Sequence, residues 1–146
     1  MSRLPALLAI AVGATVGLAA YTFQFAKGLA YMSNDPAACA NCHIMGDYLK
    51  SWQQSPHHVR AVCNDCHTPH SFFAKWITKA DNGWNHSVKF TLGNFAEPIR
   101  LRPVNAVKLR DNCVACHRDI VSEIRHGRDE IECTRCHAGV GHGPRR

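Results

Sequence analysis

Hydrophobic and polar positions divide this chain sharply. From Leu4 to Ala26 there are 23 residues without a charge, bracketed by Arg3 and Lys27. As a helix rising 1.5 Å per residue they span about 35 Å, enough to cross a hydrocarbon layer of about 30 Å once. A cleaved signal peptide has a shorter apolar run ending in small residues, and Leu18-Ala19-Ala20 resembles such a site. Length favours an uncleaved signal anchor over residues 1–27, with Tyr21, Phe23 and Phe25 suited to the far interface.

A second pattern covers residues 72–90. At 100° per residue, Phe73, Trp76, Ile77, Ala80, Trp84 and Val88 fall on one side, and Lys75, Lys79, Asn82 and His86 fall opposite. This predicts an amphipathic helix, in which Gly83 is the residue that weakens continuity. The apolar face either packs on a cofactor or lies at a membrane interface, where Trp and Lys are favoured. Elsewhere the apolar runs are short, and residues 28–146 read as one mainly helical domain with much irregular structure.

Composition changes that picture. A domain of this size needs help from disulfides, metals or cofactors, and the 146 residues include eight cysteines and ten histidines. All eight cysteines form one repeated motif: Cys39-Ala-Asn-Cys42-His43, Cys63-Asn-Asp-Cys66-His67, Cys113-Val-Ala-Cys116-His117 and Cys133-Thr-Arg-Cys136-His137. Zinc sites or disulfides would explain the cysteine pairs but require no histidine after each, and four such coincidences have a chance of about 2 in 100,000. The motif is that of c-type haem attachment: two thiols add across the porphyrin vinyl groups and the adjacent His lies under the iron. Four covalently attached haem c groups are therefore expected, and they supply the core that the side chains lack.

Bacterial c-type haem is attached outside the cytoplasmic membrane, so the haem domain should face the periplasm from a single-pass anchor in the inner membrane. The net charge of +6 comes with no recognisable nucleic-acid module, so no nucleic-acid partner is expected. Four irons offer eight axial positions, of which His43, His67, His117 and His137 fill four at most. Among the remaining histidines, His58 and His142 are the preferred distal ligands and His70 and His126 are alternatives. Five residues separate His137 from His142, too short a path around a porphyrin edge, so His142 would serve a neighbouring haem. His57 and His58 cannot both bind one iron. Met45, close behind the first motif, is either packing or an axial sulfur ligand.

The first motif begins 13 residues after Ala26, which brings its haem nearest the bilayer. A donor dissolved in lipid would meet that haem first. A quinol gives up two electrons and two protons, so its site needs an iron and titratable groups. Lys75, Lys79, Asp81 and His86 are the candidate catalytic residues, all four in the same amphipathic stretch.

A single anchor, four CxxCH motifs, Met45 completing Cys-x-x-Cys-His-x-Met from Cys39, and the Lys79-Ala80-x-x-Gly83 stretch together resemble the NapC/NirT family of membrane-anchored quinol dehydrogenases. The resemblance implies a tetrahaem cytochrome that oxidises menaquinol from the membrane pool and passes electrons to a periplasmic multihaem nitrite reductase, which makes ammonia in anaerobic respiration. It implies a first haem bound by Met45 rather than His43, His117 paired with His142, His137 paired with His58, and a Lys from the partner for the haem on His67. His86 stands where the family carries an acid, which leaves Asp81 or His86 for that role. The rival readings are a relay for a nitrate or amine-oxide reductase, a carrier without a quinol site, and a first haem that itself reduces a nitrogen oxide.

Overall fold

The computed structural model describes residues 3–125 and 132–143; His126 lies outside the described residues. The chain runs α1 (Leu4–Phe25), a short 3-10 turn (Gly28–Met32), α2 (Pro36–Cys39), a second 3-10 turn (His43–Met45), α3 (Gly46–Gln53), α4 (Cys63–His67), α5 (Phe72–Leu92) and α6 (Pro103–Val121). Two more 3-10 turns follow, at Glu123–Arg125 and Cys133–Arg135, and the described residues include no strand. The sequence predicted this mainly helical, irregularly connected arrangement.

Helix α1 is the membrane helix, uncharged over 22 residues, begun with Pro at its first turn and exposed along its whole length. A helix apolar all round with none of its residues buried among the described ones is suited to burial by lipid. The chain leaves it through Lys27, whose φ of 51° lies in the left-handed region and turns the backbone into the linker.

Helix α5 runs unbroken through Gly83, as the amphipathic pattern of residues 72–90 predicts. A Cβ at Gly83 would lie 3.4 Å from the Tyr31 ring, which lies against the helix at this point. Ordinary contact at 3.4 Å leaves room for a methyl. Gly83→Ala is therefore expected to raise stability by about 0.5 kcal/mol through helix propensity, and a lowered melting temperature of the haem-loaded protein would refute this. The helix ends at Gly93, whose φ of 66° carries the left-handed cap.

The polarity of α5 is not that of the sequence pattern. Lys79, assigned to the solvated face, is only 5% exposed, while Phe73, Ile77 and Trp84 are 79%, 70% and 73% exposed. Lys79 turns inward because the linker after α1 presents carbonyls to it. The Lys79 ammonium donates to the oxygens of Tyr31 (2.8 Å) and Ser33 (2.9 Å), and the Tyr31 hydroxyl donates back to the Lys79 carbonyl (2.9 Å). Its charge also stands over the rings of Tyr31 and Trp76. Lys75 and Asn64 both reach Asn34 Oδ1 (2.8 and 2.9 Å). The linker is thus tied to α5 and α4.

No apolar side chain among the described residues is buried. The buried residues are Ser55, Thr68, Thr78, Lys79, Asn105 and Asn112, all polar. Asn112 is the tie between α4 and α6: its side-chain amide donates to the carbonyls of Cys66 and Thr68, both at 2.9 Å. Asn112→Ala removes two buried hydrogen bonds and should cost about 2 kcal/mol, read as a lower melting temperature with unchanged haem content.

Candidate haem and quinol site

Three of the four CxxCH motifs begin on short helical elements and the third lies within the long helix α6. Asp35 caps α2, accepting from the Ala37 backbone N–H at 2.9 Å just before Pro36, and so starts the turn that presents Cys39. Asp65 on α4 accepts from the Val62 N–H at 2.9 Å, fixing the turn that carries Cys63 and Cys66. Cys113, Cys116 and His117 lie on α6, which bends at His117, where φ −105° and ψ 18° leave the helical range. The fourth motif sits on the Cys133–Arg135 turn.

None of the eight cysteines is joined to another in a disulfide. They lie next to one another in chain order. The Cys39 and Cys63 thiols are hydrogen-bonded, Cys66 lies near Cys116, and Cys113 is hydrogen-bonded to Cys133. The Cys63 contact, against the cost of burial, brings the Cys39 thiol down to about 7, with the Lys79 charge helping. Burial and the neighbouring Cys133 push Cys113 up to about 11. The four motifs therefore stand as a file, first beside second, second beside third, third beside fourth.

The histidines fit iron ligation. Burial, followed by the His142 charge, brings His67 down to about 4, which keeps it a neutral imidazole with a lone pair to offer. His58 Nδ1 lies 2.8 Å from the Ser55 carbonyl and His142 Nδ1 lies 3.2 Å from the Tyr48 carbonyl. In the tautomer with Nδ1 protonated, each backbone oxygen accepts a hydrogen bond from Nδ1–H and Nε2 keeps its lone pair, which is how ligating histidines are oriented. His70 differs, since its Nε2 is engaged with the Asp65 carbonyl at 3.1 Å.

Two ring pairs form. His142 stands against His67, rather than against His117, at 6.0 Å between ring centres. His57 stands against His117, also at 6.0 Å, and its buried Nδ1 has no hydrogen-bond partner among the described residues. Two imidazoles on opposite faces of one metal ion, each about 2 Å from it, have ring centres about 6 Å apart. His57 was not selected from the sequence, because its neighbour His58 looked equally suitable and only the fold separates them: His58 turns to Trp52 instead. His137 forms neither pair. In the first motif His43 is exposed and Met45 is half-buried.

Of the four quinol-site candidates, three are already engaged. Lys75 and Lys79 hold the linker as described. Burial, followed by the Lys75 charge, lowers Lys79 below the usual lysine range. Asp81 Oδ2 accepts from Arg102 Nη1 at 2.6 Å, and its Oδ1 accepts from Asn85 at 3.1 Å. His86 alone has no hydrogen-bond partner among the described residues. Desolvation first, then the Arg102 charge, lowers it below the usual histidine range. Tyr31 and Arg102 were not foreseen from the sequence. Each acts across more than 20 residues of chain, where periodicity carries no signal.

The donor set, the polar interior and the orphaned His57 nitrogen fit porphyrins held between these elements. Together with the apolar α1, they define a membrane-anchored c-type cytochrome. The chain belongs to the NapC/NirT cytochrome c family, whose N-terminal region matches residues 1–102. It is 38% identical to the cytochrome c-type protein NrfH of Wolinella succinogenes over 141 residues, covering 88% of this chain and 80% of that protein. It is 26% identical to the denitrification system component NirT of Stutzerimonas stutzeri, covering 75% of this chain and 69% of that one. Among solved structures it resembles a chain of the cytochrome c nitrite reductase NrfHA complex bound to the HQNO inhibitor, with a TM-score of 0.68 and 31% identity, covering 92% of this chain and 90% of that chain.

Proposed function

We propose that this chain is the quinol-oxidising, electron-delivering subunit of a nitrite reductase complex, carrying four haem c groups in a periplasm-facing domain. The observation that carries the reading is the file of motifs. It begins at the linker that leaves the membrane helix, clamped by Lys79 at 2.8 and 2.9 Å, and continues motif beside motif in chain order. Electrons entering beside the bilayer would leave at the far end, toward a multihaem catalytic partner. The likeness to NrfH and to the NrfHA complex supports nitrite reductase as that partner.

Haem supplies one-electron redox chemistry, and the chain supplies everything around it. Met45, half-buried where His43 is exposed, is the better-placed ligand for the first haem. His67, His117 and His137 serve the others, with His58 and His142 as distal ligands and His57 beside His117. Menaquinol is the substrate, approaching along the exposed Phe73, Ile77 and Trp84 of α5. His86 is the proton acceptor, because Lys75, Lys79 and Asp81 are already bonded.

The test is reduction of the purified, haem-loaded full chain in proteoliposomes by a menaquinol analogue, with and without HQNO, followed by addition of the nitrite reductase partner. Haem reduction that HQNO suppresses, and ammonia formation only when the partner is present, are the expected results. Haem reduction by dithionite but none by quinol would sink the reading.

A further inference from the structure

We propose that α5 is an interfacial helix: Phe73, Ile77, Ala80 and Trp84 seat in the surface of the bilayer that α1 crosses, and anionic phospholipid headgroups face its lysines. This surface goes beyond the electron-transfer reading and does not depend on it.

Helical spacing carries the first part of the case. At 100° per residue these four positions fall within about 60° of one another about the helix axis and extend over about 16 Å along it. Ala80 is exposed, as are Phe73, Ile77 and Trp84, each over most of its surface. An amphipathic surface helix ordinarily turns such a face to the core and its polar face to water. Here the arrangement is reversed. Among the described residues, the hydrogen bonds that tie α5 to other elements leave from Lys75, Lys79, Asp81 and Asn82. Their partners are Asn34, Tyr31 and Ser33 of the linker, which leads to the first CxxCH motif, and Arg102 and Asn105 of α6, which carries the third. Asn34 in turn binds Asn64 of the second motif. The motifs therefore stand on the polar side of α5, and its apolar face looks outward.

Nearness to the bilayer is the second part. Helix α1 ends at Phe25, and Lys27 opens the 3-10 turn that carries Tyr31. The four steps from Lys27 to Tyr31 reach at most about 14 Å extended, and about 8 Å as a 3-10 helix. A helix with its side chains is about 10–12 Å across. Gripped by the Tyr31 and Ser33 carbonyls on its polar side, α5 is held within about one helix diameter of the point where the chain leaves the lipid. The headgroup layer is itself about 5–8 Å thick on each side of the bilayer, so a helix at that height meets it. Phe25, Leu29 and Met32 are exposed too, so apolar residues run on from α1 through the linker.

Charge favours the same partner. Helix α5 carries Lys75, Lys79 and Lys89 against one acid, Asp81, and Arg102 already pairs with that acid. Lysines beside an apolar face of Phe and Trp are the composition of helices that lie in anionic interfaces.

The test is photolabelling of the full haem-loaded chain in vesicles of phosphatidylethanolamine and phosphatidylglycerol. One probe lipid carries a diazirine near its headgroup and the other at the end of an acyl chain, and labelled peptides are located by mass spectrometry. The headgroup-level probe should mark residues 73–84 about ten-fold more than the exposed Asp47 and Lys50 of α3, while both probes mark α1. Ile77→Glu puts a charge into the apolar face and should cut labelling of residues 73–84 about ten-fold. Because Ile77 is exposed, haem content and the melting temperature in detergent should not change. Labelling of residues 73–84 no higher than that of α3, with α1 marked, would overturn the proposal, and so would equal labelling in Ile77→Glu. Labelling lost when the nitrite reductase partner is added, or replaced by cross-links between two copies of the chain, would assign the face to protein and overturn it as well. Failure of quinol-driven haem reduction would leave the labels unchanged, so the two readings fall separately.

Discussion

Membranes producing the Cys113→Ala/Cys116→Ala variant are expected to hold almost none of the haem domain, although only one of the four motifs is lost. The reason is the interior. No apolar side chain among the described residues is buried, so each porphyrin carries a large share of the apolar burial. A macrocycle enclosed on both faces hides on the order of 400 Å² of apolar surface, or about 10 kcal/mol at 25 cal/mol/Å². That is comparable with the entire stability of a small domain, about 5–15 kcal/mol. Immunoblotting of membranes for the anchor and haem staining of the same gel would check it. Normal amounts of a protein short of one haem would show that side-chain packing sustains the fold after all.

Lys79→Met is expected to cut quinol-driven haem reduction at least about ten-fold and to cost about 2–4 kcal/mol of stability, through two hydrogen bonds from a charged donor. Methionine keeps the length and apolar stem but strips the bonds to Tyr31 and Ser33, so the linker between α1 and the first motif loses its clamp. The two readouts separate positioning from chemistry. If Lys79 handled protons directly, the rate would fall with an unchanged melting temperature. The clamp predicts that both fall together, while dithionite still reduces all the haem. An unchanged rate would remove Lys79 from the site altogether.

Much of this molecule was legible because its chemistry is written in local spacing. The anchor needs only 23 uncharged residues, and CxxCH needs only five, so Leu4–Ala26 and all four motifs could be read directly from the chain. Helix α5 was likewise visible in its periodicity. What escaped the reading is polar and long-range. Lys79 reaches a carbonyl 48 positions away, Asn112 one 46 away, and Arg102 a carboxylate 21 away. Nothing in residue type or period announces such contacts. The inversion of Lys79 from solvated to buried has the same origin: helical periodicity assumes that polar faces meet water, and here one meets the backbone of a linker. His57 escaped for a different reason, since two adjacent histidines on a turn point apart by a rotation that spacing cannot resolve.

The Asn112 amide joins two things besides two helices. It sits one residue before Cys113 and bonds the carbonyl of Cys66, so a single side chain spans two successive CxxCH motifs. Electron tunnelling falls off exponentially with the gap between donor and acceptor, and a gap that breathes would make transfer wait for close approach. With the two motifs tied through one hydrogen-bonded amide, the gap between groups attached there would be held by a buried contact rather than left to a loop. Loosening that contact should make transfer across it wait on breathing motions.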